Sequence, residues 1–167
     1  MAGRKSKMRE KILNYIEKNS RVDLKELAIL LGMEEADVAN ELAAMESEGV
    51  ICGYHTIIDW DKVTEERVNG LIEVRVTPQR GKGFDEIAER IYKYPEVTAC
   101  YLMSGGYDLL ISIEGKTLKE ISMFVSQKLS TLESILSTTT HFILKKYKDH
   151  GTIMNQNKED ERMMMTP

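Results

Sequence analysis

The 167-residue sequence is poor in several residue types that mark particular classes of protein. It has two cysteines, Cys52 and Cys100, and neither stands at the spacing of a metal-binding motif. Its longest apolar runs, LAILLG and DLLISI, are too short to cross a bilayer, and no apolar region follows the basic N-terminus. We therefore expect a globular protein of the cytoplasm, without a membrane span or secretory leader.

Basic residues are missing from one stretch altogether. Residues 34–51, EEADVANELAAMESEGVI, contain six carboxylates and no Lys or Arg. The overall net charge of −4 is unevenly distributed, because residues 34–66 carry ten acidic residues and one basic residue, whereas residues 1–33 carry four acidic and eight basic ones. The acidity of the chain is therefore concentrated in one block.

Three amphipathic helices are predicted in the first fifty residues. A capping box with Asp23 and Glu26 starts the second helix, which ends at Gly32, and a third begins after about three residues and ends at Gly49. The predicted buried positions are Met8, Ile12, Tyr15, Ile16, Leu24, Leu27, Ala28, Leu31, Val38, Leu42 and Met45. Two helices joined by a short turn indicate a helix-turn-helix, and VICGYHTIID is expected to form a short strand or wing after it.

The rest of the sequence alternates strands and helices in the order βαββαβ. The predicted strands are VNGLIEVRVTPQ, EVTACYLMSG, YDLLISIEG and ILSTTTHFILKKYK. The two helices are expected to bury Phe84, Ile87, Ala88 and Ile91, and Leu118, Ile121, Phe124, Val125 and Leu129. The second of them is expected to begin at a threonine cap, Thr117, with Glu120 at the third position. This order predicts a ferredoxin-like antiparallel sheet with both helices on one face. Leu102 and Ile113 are expected to make the other face too apolar for water, so that a second copy covers it.

These predictions divide an α+β chain into four segments. Residues 1–60 form the winged helix-turn-helix domain and residues 61–67 a linker. Residues 68–148 form the βαββαβ domain, and residues 149–167, which combine charged residues with the run MMM, form a C-terminal tail. We expect this tail to be an extended arm, because methionine fills irregular gaps against a neighbouring subunit.

A winged helix-turn-helix followed by such a βαββαβ domain resembles the Lrp/AsnC (feast/famine) family of bacterial and archaeal transcriptional regulators. The resemblance covers about residues 8–148 and is carried by RVDLKELAILLG, ESEGVICGY, IEVRVTP, YPEVTACYLMSGGYDLLISIEG and STTTHFILKKYK, of which SGGYDLL is the most specific. It implies DNA binding and homodimers that pair through the βαββαβ domains and often assemble into octamers. It also implies an amino-acid effector, bound where those domains meet.

A small polar ligand is expected near the connection between the two middle strands. Consecutive glycines can turn backbone N–H groups toward a carboxylate, Asp108 could accept from an ammonium group, and threonine hydroxyls could add contacts. The candidate effector site is Gly105, Gly106, Tyr107, Asp108, Thr138 and Thr140. The structural alternative is a hairpin glycine pair, a locally paired aspartate and the threonines of an exposed strand.

DNA recognition conflicts with the charge of the third helix. In the family this helix enters the major groove, usually with Arg or Lys exposed. Here Glu35 could accept from a cytosine amino group and Asn40 could bind adenine, but carboxylates repel phosphates. First-turn acids also simply favour the helix dipole. The groups that could hold phosphates are Arg4, Lys5, Lys7, Arg9 and Lys11 in an N-terminal arm, and Arg21 and Lys25 beside the second helix.

We therefore expect weak, salt-sensitive DNA binding that depends on these basic groups, unless the arm is only a solvated, disordered terminus. Two other functions are compatible with the sequence. An effector-sensing protein with weak or lost DNA binding would suit the charge pattern. A sirohaem-decarboxylase-like enzyme shares the two-domain layout, but its tetrapyrrole chemistry needs clustered His and Arg, whereas His55, His141 and His150 are spread singly. No catalytic residue, metal ligand or cofactor is predicted.

Overall fold

The structure is a computed structural model that describes residues 2–63, 67–77 and 83–154, with backbone only for residues 2–5. The chain divides into two compact units between Ile58 and Asp59. In the part of the chain that the structure describes, no helix is long and apolar enough to cross a membrane.

The N-terminal unit consists of three helices: α1 (Ala2–Ile16), α2 (Leu24–Leu31) and α3 (Glu35–Ser47). Their apolar stripes meet in one core whose fully buried side chains are Ile12, Leu27, Val38 and Met45. The predicted local signals are present at the ends of α2. Asp23 Oδ1 accepts from the backbone N–H groups of Lys25 (2.8 Å) and Glu26 (3.3 Å), and Gly32 takes the left-handed conformation with φ of 65°. The helix-turn-helix prediction is confirmed.

Two predictions about this unit are wrong. The basic N-terminal residues are neither an extended arm nor a disordered terminus, because α1 begins at Ala2. The strand expected over VICGYHTIID is not formed, and residues 52–59 have no regular secondary structure. A strand exists only when a neighbour accepts and donates its backbone hydrogen bonds, and a unit of three helices offers no such neighbour.

The C-terminal unit contains a four-stranded antiparallel sheet. Its elements in chain order are a 3₁₀ turn (Trp60–Lys62), β1 (Val68–Val76), α4 (Gly83–Tyr92), β2 (Val97–Leu102), β3 (Leu109–Gly115), α5 (Leu118–Phe124), a π-helical turn (Val125–Leu129), β4 (Ile135–Phe142), β5 (Lys148–Asp149) and β6 (Thr152–Ile153). The strand order in the sheet is β2-β3-β1-β4. This confirms the predicted ferredoxin-like arrangement.

The helix-covered face of the sheet forms the core of the C-terminal unit. Ile72 and Val74 of β1 and Ile111 of β3 are fully buried there, together with Ile91 of α4 and Ile121 of α5. The α4 helix buries Ile87 and Ile91 as predicted. Alternation along the strands sends every second side chain to this face, so β1 and β3 supply half of the buried core residues that the structure describes in this unit.

The prediction for the open face of the sheet is wrong in its detail. Ile113 is 1% exposed and lies in the helix-side core, and Leu102 pairs with the buried Leu109, although it is itself 61% exposed. The strand LLISI has apolar residues at both odd and even positions, so its sequence pattern does not reveal which of the two sets of side chains is buried. The open face carries Asn69, Leu71, Glu73, Arg75, Tyr101, Leu110, Ser112, Ser137, Thr139 and His141. It is therefore more polar than expected.

The α5 helix begins with the predicted threonine cap. Thr117 Oγ1 accepts from the backbone N–H of Glu120 at 3.1 Å, and Ile121 and Phe124 are buried. Leu118, which was expected to be buried with them, is 55% exposed. At about 100° of rotation per residue it lies roughly 90° from the middle of the Ile121–Phe124 stripe.

Parts of the segments expected to be linker and tail form defined contacts within the C-terminal unit. The Arg67 guanidinium lies 3.4 Å from the centre of the Trp60 ring and donates to Glu114 Oε1 at 2.6 Å. At the other end, β5 and β6 form a hairpin whose turn residues His150 and Gly151 both have positive φ. The predicted arm lies mostly outside the described residues, which end at residue 154.

Candidate functional site

The carboxylates in the second half of α3 have partners within the N-terminal unit. Arg9 of α1 donates from Nε to Glu41 Oε2 at 2.8 Å, and from Nη1 and Nη2 to the two oxygens of Glu48 at 2.6 and 2.9 Å. These hydrogen bonds raise the pKa of Arg9 above its ordinary value, and those to Glu48 have the largest effect, followed by the one to Glu41. Such forked, charge-assisted contacts are geometrically specific. Arg9 is therefore an internal bridge between α1 and α3.

A second contact holds another of these carboxylates. The Tyr54 hydroxyl donates to Glu46 Oε1 at 2.7 Å, and this hydrogen bond raises the pKa of Tyr54. Within residues 34–51, Glu41, Glu46 and Glu48 are the three acidic residues that first-turn dipole effects do not explain. Each of them has an intramolecular donor in the structure.

The residues predicted to contact DNA lie on three different elements of the N-terminal unit. Lys7 on α1, Arg21 in the loop before α2 and Lys25 in the first turn of α2 are exposed. Glu35 and Asn40 are exposed on α3. The remaining two candidates, in the first turn of α1, have side chains outside the described residues; they are Arg4 and Lys5.

Asp108 of the candidate effector site has a structural role that the sequence did not reveal. Its Oδ2 accepts from the backbone N–H of Val76 at 2.8 Å, and its own N–H donates to Val74 O at 3.0 Å. The register of β1 against β4 shifts between Arg75 and Val76. On the other side of β1, the pairing with β3 ends at Val74 and Leu109, so the carboxylate satisfies a backbone donor just beyond the end of that ladder.

Neither the backbone conformation nor the packing of this chain requires glycine at the two glycine positions of the candidate site. Neither Gly105 nor Gly106 has a positive φ, and a Cβ added at either would meet no atom within 4 Å. Neither glycine therefore takes the left-handed conformation of a two-residue hairpin turn or of an αR-αL anion nest, although the predicted hairpin itself is formed, because β2 and β3 pair antiparallel. Instead residues 103–108 form a longer connection, in which Gly106 O accepts from Arg75 Nε at 2.8 Å.

The threonines predicted for the same site lie on the other face of the sheet. In the register of β4, Thr138 is opposite Val74 and Thr140 is opposite Ile72, and both partners are buried beneath the helices. The open face of β4 instead presents His141, whose Nε2 lies 3.3 Å from Glu73 Oε1. The two threonines therefore lie on the helix-covered face, whereas Arg75, which donates to Gly106 O, lies on the open face. Tyr107, in that connection, is half-buried.

A helix-turn-helix unit followed by a ferredoxin-like unit defines a class of two-domain regulators. Residues 69–153 match the family model for the Lrp/AsnC ligand binding domain. The chain is 48% identical over 157 residues to the uncharacterized HTH-type transcriptional regulator YugG of Bacillus subtilis (strain 168), covering 93% of this chain and 95% of that one. It is 29% identical over 131 residues to the proline dehydrogenase transcriptional activator of Rhodobacter capsulatus, covering 78% and 84%. The chain belongs to the Lrp/AsnC family of transcriptional regulators.

Solved structures show the same fold. A Neisseria meningitidis transcriptional regulator in complex with L-Met has a TM-score of 0.68 at 22% identity, covering 90% of this chain and 96% of that one. E. coli AsnC has a TM-score of 0.62 at 21% identity, covering 84% and 92%. Both structures span the two units described above.

The hydrogen bond from Val76 to Asp108 makes a testable contribution to stability. Replacing Asp108→Ala leaves a half-buried N–H without its acceptor, so we expect the free energy of unfolding of the C-terminal unit to fall by about 1–3 kcal/mol. Asp108→Asn keeps an acceptor oxygen and should lose less. Urea denaturation of the three proteins measures this, and equal stability of the alanine variant and the wild type would contradict it.

Proposed function

We propose that this regulator binds DNA through α2 and α3 and responds to a small amino-acid-like effector bound by its ferredoxin-like unit. It acts as a homodimer or a larger assembly of dimers, in the cytoplasm, where its DNA lies. The observation that carries the proposal is the bridge from Arg9 to Glu41 and Glu48, because it reduces the charge that opposes DNA binding by an acidic helix.

The charge that α3 can turn toward DNA is smaller than its sequence suggests. Arg9 offsets part of the charge of Glu41 and Glu48, and Tyr54 holds Glu46. The acidic groups left over are Glu34 at the N-cap and Glu35 and Asp37 in the first turn. The exposed Lys7, Arg21 and Lys25 supply positive charge on the neighbouring elements. Binding that depends on a few such cations is weak in one copy and falls as salt rises, and paired copies add their contacts.

For the effector, the 103–108 connection is the proposed site. Glycine is used where a backbone must approach a neighbour closely, and neither conformation nor crowding in this chain requires Gly105 or Gly106. A bound molecule or a second copy is the neighbour that we infer. The L-Met complex of the Neisseria meningitidis regulator supports an amino acid as the ligand class. The site would comprise Gly105, Gly106, Tyr107 and Asp108, without the threonines of the opposite face.

The first-turn acids provide a test of DNA binding by α3. Replacing Glu35→Gln and Asp37→Asn together should strengthen binding to a non-specific duplex several-fold, because two carboxylates no longer repel phosphates. Fluorescence anisotropy at constant salt measures the change. The matched control is Asp85→Asn with Glu133→Gln, which makes the same change in net charge on exposed residues of the C-terminal unit. If both double variants bind alike, α3 does not approach the duplex.

The effector proposal is tested by Asp108→Asn, because this variant keeps an acceptor for Val76 and removes the charge. We expect the affinity for the amino acid that binds best in a calorimetric panel, with L-methionine as the first probe, to fall about tenfold or more. The free energy of unfolding measured in parallel shows that the fold is kept. Unchanged affinity would remove Asp108 from the ligand contacts.

The assembly is tested by light scattering after size-exclusion chromatography. The open face of the sheet has half-exposed Tyr101 beside Leu110, and burying such residues against a second copy is favourable. We expect a mass of two chains or a multiple of two at micromolar concentration. A monomer mass would contradict the proposed pairing. Tyr101→Lys, which places a charge on this face, should shift the protein toward the monomer.

A further inference from the structure

The chain that follows β4 forms a basic hairpin that neither proposed site uses. Residues 143–154, ILKKYKDHGTIM, contain three lysines and one acidic residue. The last part of this stretch forms β5 and β6, which pair with each other and not with the four-stranded sheet. We call residues 145–148, KKYK, the basic segment.

The acidic residue of the hairpin is occupied by its neighbours. Asp149 Oδ2 lies 3.4 Å from Lys146 Nζ, and its Oδ1 lies 2.7 Å from His150 Nδ1. The side chains of Lys145 and Lys148, on either side of this cluster in the sequence, are exposed. The positive charge that the basic segment presents to solvent is therefore not cancelled by Asp149.

A tyrosine lies among these lysines with its side chain in solvent. Tyr147 is 72% exposed, and the Lys145 ammonium lies 5.0 Å from the centre of its ring. The backbone O of Tyr147 accepts from the Met154 N–H at 2.9 Å, which anchors this residue to the far strand of the hairpin. Tyrosine hydroxyls and lysine ammonium groups both donate to phosphate oxygens in complexes with DNA. The basic segment thus presents two kinds of phosphate-binding group together.

A second pair of lysines lies at the same end of the sheet. Asn69 of β1 is opposite Glu114 of β3 on one side, and on the other side its O accepts from the Ile143 N–H at 2.9 Å. The chain therefore leaves β3 and β4 at the same end of the sheet, with β1 between them and a separation of about 10 Å. Lys116 and Lys119, which follow β3 directly, are exposed there as the basic segment is after β4.

The carboxylates beside these lysines already have donors within the unit. Glu114 accepts from Arg67 at 2.6 Å, and Glu120 Oε2 accepts from the backbone N–H of Lys116 at 2.7 Å. Four ammonium groups around the ends of β3 and β4 have no described carboxylate within ion-pair distance; they belong to Lys116, Lys119, Lys145 and Lys148. This end of the sheet is therefore complementary to an anionic partner.

A second copy of the chain is the alternative occupant of this surface. Leu144, beside the basic segment, is 95% exposed, and a neighbouring copy could cover it. A symmetric contact, however, sets the same patch of each copy against itself, so the lysines of one copy would face those of the other. Like charges brought together in this way oppose association. The charge of the surface therefore favours a polyanion.

We propose that the basic segment, with Lys116 and Lys119, binds the phosphate backbone of double-stranded DNA as a second contact beside the helix-turn-helix. The inference rests on the proposed DNA binding by the N-terminal unit and names a further surface for it. The chain from that unit enters the sheet at this same end, where β1 begins at Val68. Contacts to phosphates carry no base information, so this surface adds affinity without specificity. It supplies cations that α3 lacks.

The test is a fluorescence-anisotropy titration of the full chain with a non-specific duplex at several salt concentrations. Lys145→Gln with Lys148→Gln should weaken binding several-fold and make the slope of log affinity against log salt shallower by about two, because each lost phosphate contact removes about 0.9. The matched control is Arg90→Gln with Lys93→Gln, which makes the same change in net charge on exposed residues of α4, beside β2 at the opposite edge of the sheet. If the two double variants bind alike, the proposal is wrong.

The lysines after β3 are tested in the same way. Lys116→Gln with Lys119→Gln should also weaken binding and make the salt slope shallower. Both side chains are exposed and the backbone N–H of Lys116 is kept, so the fold does not depend on the change. Binding equal to that of the wild type would contradict the proposal.

A fourth double variant separates this inference from the proposed function. Arg21→Gln with Lys25→Gln removes two exposed cations of the N-terminal unit, and we expect it to weaken binding as well. If it does so while the Lys145 and Lys148 variant does not, DNA binding by the N-terminal unit stands and the basic segment is excluded. The reverse result supports the basic segment and overturns binding by the N-terminal unit.

Light scattering of the Lys145→Gln and Lys148→Gln variant distinguishes DNA from a second copy as the partner. We expect its mass to equal that of the wild type. A changed mass with unchanged DNA affinity would show that this surface pairs copies of the chain, and would overturn the proposal.

Discussion

The bridge from Arg9 to Glu41 and Glu48 is the interaction on which the account of the N-terminal unit depends. One guanidinium contacts Glu41 in the middle of α3 and Glu48 at its C-cap, so it holds α1 against that helix at two points. An exposed ion pair contributes little to stability, but Arg9 forms a forked contact with Glu48, and its single contact with Glu41 is partly shielded, with the Glu41 side chain 17% exposed. Its larger consequence is electrostatic, because it places a positive charge against the most acidic part of the chain. The negative charge that makes α3 look unsuited to DNA in the sequence is therefore partly offset in the folded protein.

Local signals allowed most of the fold to be predicted. The cap at Asp23, the left-handed Gly32 and the threonine cap of α5 are each decided by residues three or four positions apart, and each is present. Features that depend on distant residues were missed. Arg9 and Glu41 are 32 positions apart, as are Asp108 and Val76, and nothing in either local pattern indicates the partner.

The errors share a physical cause. Ile113 was assigned to the wrong face because its strand is apolar at both odd and even positions. Which of these side chains the helices cover depends on the packing of the whole sheet. The strand expected after α3 lacked a partner within its unit. The glycine pair indicated the hairpin correctly but not the length of its connection, which Arg75 and Asp108 hold through contacts with distant residues. For the candidate effector site, the sequence therefore predicted the location in the chain better than it predicted the backbone geometry at that location.

The C-terminal unit places its candidate effector site at one end of a rigid strand. The connection before β3 offers the Asp108 carboxylate and exposed glycine backbone. β3 is central in the sheet and its core residues are fully buried. A molecule bound at this connection would therefore contact an element that the core holds in place.

The central claim is that this family member binds DNA despite the acidity of its third helix. The most direct measurement is a fluorescence-anisotropy titration of the protein against the DNA upstream of its own coding sequence and against a scrambled duplex, at two salt concentrations. We expect the protein to bind the upstream DNA more tightly than the scrambled duplex, with an affinity that falls steeply as the salt concentration rises. Equal and negligible binding to both duplexes would contradict it, and would indicate an effector-sensing protein that acts without DNA.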